Sequence, residues 1–149
     1  MSKLHDPHKV ILIADDDEDD RMLFLDAVED LNLPAAVKAA CDGQELLNTL
    51  EKTADRLPDM IFLDINMPIK NGFDCLAEIR SREDALKEVK IIMLSTSKNA
   101  DNIELCHKLG ANLYAVKPSS FQGLKDLLQK VFEIDWSSIQ KSSNRFLLA

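Results

Sequence analysis

The sequence has no surplus of positive charge. Lys and Arg number 18 against 26 Asp and Glu, a formal net charge of -8 over 149 residues. General nucleic-acid binding needs basic clusters facing phosphates, so that class is excluded. Cysteine is scarce: Cys41, Cys75 and Cys106 are odd in number, scattered and without CxxC spacing. They read as small core residues in a reducing, cytoplasmic setting, not as a disulfide framework or a metal site. No apolar run is long enough to span a bilayer, so no membrane partner is expected. The opening MSKLHDPHK has no apolar stretch of the kind a secretory signal requires. There is no low-complexity segment and no internal repeat on the scale of roughly 20–50 residues. What remains is an ordinary globular composition, 46% hydrophobic and 30% charged, with the length for one domain and a real core.

Short apolar runs alternate with amphipathic ones. Val10, Ile11, Leu12, Ile13 and Ala14 form a continuous run rich in β-branched residues, as a strand buried on both faces requires. Met60 to Leu63, Ile91 to Leu94 and Leu113 to Val116 have the same character, while Ala36 to Ala40 is mixed and suits an edge strand. Between them, Phe24, Ala27, Val28 and Leu31 recur at helical spacing, with Asp17 placed to cap and Glu18, Asp19 and Asp20 in the first turn. Asp42 with Glu45 resembles a capping box ahead of Leu46, Leu47 and Leu50. Phe73, Leu76, Ala77 and Arg80 mark a third helix; Ile103, Cys106 and Leu109 a fourth, stopped by Gly110. Phe121, Leu124, Leu128 and Val131 mark a fifth, capped by Ser119 or Ser120. Strand and helix thus alternate through five units, the pattern of a doubly wound parallel sheet with helices on both faces.

Such sheets bind ligands beyond the carboxyl ends of their strands. Asp15, Asp16 and Asp17 follow the first strand, and Asp64, Ile65, Asn66, Met67 and Pro68 the third. Ser95, Thr96 and Ser97 follow the fourth, and Lys117 and Pro118 the fifth. Crowded carboxylates repel and require a cation. Hard oxygen ligands with room for water describe a Mg²⁺ site. With the Lys117 ammonium and a hydroxyl beside it, the pocket suits a phosphoryl group. A carboxylate can itself be the nucleophile and form an aspartyl phosphate; Asp64, at the end of the central apolar strand, is the candidate.

Each signal also has a plainer reading. Asp17, Glu18, Asp19 and Asp20 serve a helix N-terminus, and Ser97 a helix cap. A lone Lys-Pro is a loop. His5 and His8 belong to a polar arm, His107 to a helix surface, and Trp136 packs the tail onto the body. All four strand-end signals in the right order are hard to obtain by accident.

ILIADDDEDD, IFLDINMPIKNG, IIMLSTS and GANLYAVKP resemble the receiver domain of bacterial two-component response regulators. The resemblance implies a flavodoxin-like sheet of five strands in the order 2-1-3-4-5. It implies that Asp64 is the phosphoacceptor, that Asp16 binds Mg²⁺ directly and Asp15 mainly through water, and that Asn66 offers its backbone carbonyl. It makes Ser95 the switch hydroxyl, Lys117 the family lysine and Tyr114 the aromatic switch. Lys70, Asn71 and Gly72 depart from the commoner apolar-Asp-Gly, Ser95 replaces the commoner Thr, and the loop 81–88 is long and charged. With LSTS and a tail tryptophan, these features are similar to stand-alone responders that partner bacterial phytochromes.

The expected organisation is an arm at 1–8, a receiver domain at 9–133 and a tail at 134–149 without an output domain. The expected function is phosphoryl acceptance from a sensor histidine kinase or phosphotransfer protein, signalled to a downstream protein by altered contacts. Such a protein is not an enzyme beyond its own phosphotransfer and dephosphorylation. The apolar tail residues Ile134, Trp136, Ile139, Phe146, Leu147 and Leu148 either fold back on the domain or support a homodimer. One rival is a haloacid-dehalogenase-like Mg²⁺-dependent phosphatase using the DxD of Asp15 and Asp17, which would leave the Asp64 motif idle. Another is a flavodoxin-like cofactor binder, opposed by the three Asp that would repel a cofactor phosphate.

Overall fold

Continuous apolar runs build the centre of the sheet. In the computed structural model, which describes residues 9–52, 56–82, 84–134, 136 and 146–148, these runs become β1 (Lys9–Ala14), β3 (Met60–Asp64), β4 (Lys90–Ser95) and β5 (Leu113–Val116). The mixed run becomes β2 (Ala35–Ala40), an edge strand beside β1. Between the strands lie α1 (Glu18–Asp30), α2 (Gly43–Lys52), α3 (Gly72–Arg80), α4 (Ala100–Leu109) and, after β5, α5 (Phe121–Phe132). All pairings are parallel, in the order β2-β1-β3-β4-β5.

Successive strand residues point to opposite faces, so each buried strand serves two cores. Leu12, Ile61, Leu63, Ile91 and Met93 meet Leu46, Leu50, Leu76, Ile79 and Cys106 on one side. Ile11, Ile13, Phe62, Ile92 and Ala115 meet Phe24, Ala27, Leu128 and Val131 on the other. Phe24 stands edge-on to Phe62, centroids 5.0 Å apart, an arrangement the ring quadrupoles favour.

Local chemistry sets the helix ends. Asp17 accepts from the N–H groups of Asp19 and Asp20. Asp42 accepts from Glu45 N at 2.7 Å while Glu45 reaches back to Cys41 N at 2.6 Å. Ser120 caps α5 by accepting from Gly123 N, and Gly110 ends α4 at φ 101, where its missing Cβ is needed.

Three expectations are corrected, and the expected five-strand order is extended by a short sixth strand, β6 (Leu147–Leu148), parallel to β5. An edge at β5 would leave backbone groups unpaired; instead Tyr114 N donates to Phe146 O at 2.8 Å. Cys41 is exposed, because it lies beyond the end of β2, whereas Cys75 and Cys106 are buried. Their burial pushes both thiols up to about 11, which leaves them inert packing groups. Ser97 does not cap α4; Asn99 does, accepting from Asp101 N and Asn102 N. Phe121 is exposed rather than core; as the first residue of α5 it overhangs the carboxyl edge of the sheet.

The described tail residues lie on the domain itself. Trp136 packs beside Ile134 against the α1–α5 core, with Lys90 Nζ 5.8 Å from its ring centroid. Phe146 is buried and its ring meets that of His107 at 4.7 Å. His5, His8 and Ile139 lie outside the described residues.

Candidate functional site

The carboxyl ends of β1, β3, β4 and β5 open into one depression of about 240 Å³, lined by Asp15, Asp16, Asp17, Asp20, Asp64, Asn66, Thr96 and Lys117. Asp15 and Asp64 are buried and Asp16 is exposed. The main chain fixes both buried carboxylates. Asp17 N donates to Asp15 Oδ1 at 3.0 Å, and Asn66 N to Asp64 Oδ1 at 3.4 Å. Asp15 N donates to Ala40 O at 3.1 Å, and Ile65 N to Leu94 O at 3.1 Å.

Gly72 brings α3 close behind Asp64. A Cβ there would lie 2.6 Å from Asp64 O and 2.7 Å from Ile65 Cα, so only glycine fits without moving the strand end. Just before it, Lys70 N donates to Pro68 O at 2.7 Å around Ile69 at φ 70. This is a positive-φ γ-turn, a rare and strained shape, at a β-branched residue that is 75% exposed. Ile69→Asn should therefore stabilise the fold by about 1 kcal/mol, read as a higher urea midpoint at unchanged slope. An unchanged or lower midpoint would mean the turn carries no strain.

Lys117 is the cation of the site. Its Nζ lies 2.9 Å from Asp15 Oδ2, 3.0 Å from Asp20 Oδ2 and 3.5 Å from Asp64 Oδ2. Burial alone would lower the ammonium pKa; hydrogen bonds to Asp15 and Asp20 and the charge of Asp64 more than offset it and hold the pKa above its ordinary value. The Asp64 carboxyl is also raised, to about 6, which for an acid disfavours the charged form. Burial is the first cause; Asp15 and Asp16 add to it, and Lys117 and the Asn66 N–H oppose it.

Carboxylate oxygens of Asp15, Asp16 and Asp64 lie within 4.8 Å of one another. Three hard donors, one on an open side, with a carboxyl group driven toward its neutral form by burial and then by its acidic neighbours, fit a divalent cation such as Mg²⁺. Asn66 lines the same depression.

Ser95 is buried, and its Oγ accepts from Ser97 N at 3.1 Å, while Thr96 faces the depression. Tyr114 is fully buried and its hydroxyl donates to Ser97 O at 2.7 Å. The ring therefore already points inward with its hydroxyl satisfied. The structure thus brings Asp15, Asp16, Asp64, Asn66 and Lys117 together, sets Ser95 behind them with its carbonyl accepting from Lys117 N at 2.8 Å, and links Tyr114 to Ser95 only through Ser97. Asp20, read from the sequence only as a helix-start acid, joins Lys117. Its signal was the spacing of three residues after the cap Asp17, too ambiguous among six consecutive acids.

A doubly wound sheet with a strand-end aspartate, an acidic pair and a facing lysine defines a phosphoryl-handling receiver. The model of the response regulator receiver domain matches residues 11–129, and the chain belongs to that family. Response regulator Rcp1 from Synechocystis is 31% identical over 139 residues, covering 91% of this chain and 92% of Rcp1. Among solved structures, the phosphorylated cyanobacterial phytochrome response regulator RcpA superposes with a TM-score of 0.78 at 32% identity, over 88% of this chain and 95% of RcpA. The Mn²⁺-bound form of Rcp1 gives 0.74 at 27% identity, over 90% and 96%. The family consists of signalling proteins, which sets aside the phosphatase alternative. Asp17 agrees, since its Oδ1 serves the start of α1 at 2.8 Å from Asp19 N.

Proposed function

We propose that this protein is a single-domain responder in which Asp64 accepts a phosphoryl group from a phosphohistidine. The observation that carries the reading is one carboxylate at the end of the central strand, 7% exposed, with a lysine ammonium 3.5 Å away and two further carboxylates alongside. An Asp64 oxygen attacks phosphorus as the bond from phosphorus to the histidine nitrogen breaks. Lys117 takes up charge on the transferring oxygens. A divalent cation held by Asp15, Asp16, Asp64 and the Asn66 carbonyl would supply the remaining charge neutralisation. The protein turns over nothing beyond its own phosphorylation and dephosphorylation.

The donor is a sensor histidine kinase, of phytochrome type by analogy with Rcp1 and RcpA, or a phosphotransfer protein. Its helix fits the apolar groove between α1 and α5, formed by Leu23, Phe24, Phe121 and Leu124 and continuous with the depression through Asp15, Asp20 and Lys117. A phosphohistidine delivered there arrives beside Asp64.

The bound phosphoryl group recruits the Ser95 hydroxyl. Ser95 is tied to Ser97, and Ser97 to Tyr114, so the pull reaches β5, α4 and the tail strand on β5. A downstream protein or a second copy of this chain reads that face. No helix among the described residues is long and apolar enough to cross a membrane, and we place the protein in the cytoplasm.

Purified protein with acetyl phosphate and Mg²⁺ tests the reading: one acid-stable, base-labile phosphoryl group should appear on the peptide containing Asp64. Asp16→Asn removes a cation ligand and a repelling carboxylate together. It should weaken Mg²⁺ binding by roughly tenfold or more while the metal-free protein melts at the same or a higher temperature. An unchanged Mg²⁺-induced melting shift would place the metal elsewhere.

A further inference from the structure

Asp20 is bonded into the pocket without belonging to its cation cluster. Its Oδ2 lies 3.0 Å from Lys117 Nζ, as close as Asp15 Oδ2 at 2.9 Å and closer than Asp64 Oδ2 at 3.5 Å. Yet the three carboxylates that converge for a cation are Asp15, Asp16 and Asp64. Its side chain is 41% exposed, against 3% for Asp15 and 7% for Asp64. The start of α1 does not need this contact: Asp17 caps the helix, and Glu18 and Asp19 also stand in the first turn.

We propose that Asp20 is a positioning residue that holds the Lys117 ammonium on the α1 side of the pocket and restrains phosphoryl acceptance. The inference rests on Asp64 being the phosphoacceptor. In the acceptance step an Asp64 carboxylate oxygen bonds to phosphorus while the bond from phosphorus to the donor oxygen or nitrogen breaks, and the donor leaves with the electron pair. The incoming phosphoryl oxygens are anionic and draw on the N–H donors of Lys117, two of which are directed to Asp15 and Asp20 in the resting site. Asp20 therefore competes for the ammonium and adds a negative charge beside an arriving anion. Removing it leaves Lys117 anchored by Asp15, so order is kept while competition falls.

The test compares full-length wild type with Asp20→Asn, Asp20→Glu and Asp19→Asn. Asp19→Asn deletes the same charge one residue away, outside the contact. Labelling is followed at subsaturating acetyl phosphate with Mg²⁺, and beryllium trifluoride affinity is measured by ¹⁹F NMR as an equilibrium readout without turnover. Asp20→Asn should label roughly two- to fivefold faster and bind beryllium trifluoride tighter by a similar factor, the scale that partly exposed ion pairs carry. Asp20→Glu, which restores the carboxylate, and Asp19→Asn should both stay near wild type. Asp20→Ser repeats the comparison should the amide find a new partner. If Asp20→Asn and Asp20→Ser match Asp19→Asn, or react more slowly than wild type, the inference is overturned while the phosphoacceptor reading stands. If wild type takes up no phosphoryl group, that reading falls first and this one with it.

Discussion

Asp64→Asn should lose phosphoryl incorporation from acetyl phosphate by a factor of at least about 10³. The amide is nearly isosteric, so the hydrogen bond from Asn66 N and the packing of the β3 end survive while the nucleophilic oxygen does not. The neighbours cannot readily take over. Asp15 is buried and already holds Lys117 at 2.9 Å and Asp17 N at 3.0 Å. Asp16 is exposed and stands off the central strand. Mass spectrometry of the intact chain and of its peptides reads the outcome. Equal labelling of the variant would remove Asp64 from its assigned role, and label moving to the peptide of Asp15 and Asp16 would name the true acceptor.

The assignment of Asp64 was legible because its signals are local. A continuous apolar run must be a strand, its last residue must lie at the carboxyl edge, and a parallel sheet must gather those edges. The same logic found Asp15, Asp16, Ser95 and Lys117. Strand order was not legible this way, since runs of similar composition do not state which neighbour each will pair with; it came with the family resemblance. Asp20 was hidden among six consecutive acids, and only the approach of the β5 end to α1 selects it. The strand at Leu147 and Leu148 is two residues long, too short for periodicity to register, and exists because β5 offers it an edge. Ile69 was read only as part of a motif. Its positive φ follows from the need to turn the chain between Asp64 and a helix whose first residue, Gly72, is seated against the backbone of Asp64 and Ile65. Tyr114 was recognised as a switch, but its resting direction depends on Ser97 O, a tertiary partner no spacing rule supplies.

The crowding that makes the pocket fit a cation should also be measurable as a cost in its absence. Asp64 is raised to about 6, first by burial and then by Asp15 and Asp16. The unfolded chain titrates this group near the ordinary value of about 4. Between those pH values the native state binds more protons at this site than the unfolded state, so the contribution of Asp64 to stability falls as pH rises. It is neutral below about pH 4 and, above about pH 6, fully unfavourable by about 2–3 kcal/mol. Asp64→Asn removes the charge and keeps the shape. In EDTA the variant should therefore be more stable than wild type by that amount at about pH 7.5, with the difference shrinking toward zero near pH 4. Paired urea titrations across this range isolate Asp64 together with its coupling to Asp15, Asp16 and Lys117, because titrations outside the pocket are common to both proteins. Adding Mg²⁺ at about pH 7.5 should close the gap by stabilising wild type more than the variant, since binding to the native state alone shifts unfolding by mass action. A stability gain independent of pH would show that Asp64 is not held in a crowded ionised state, and the cation site would lose its electrostatic basis.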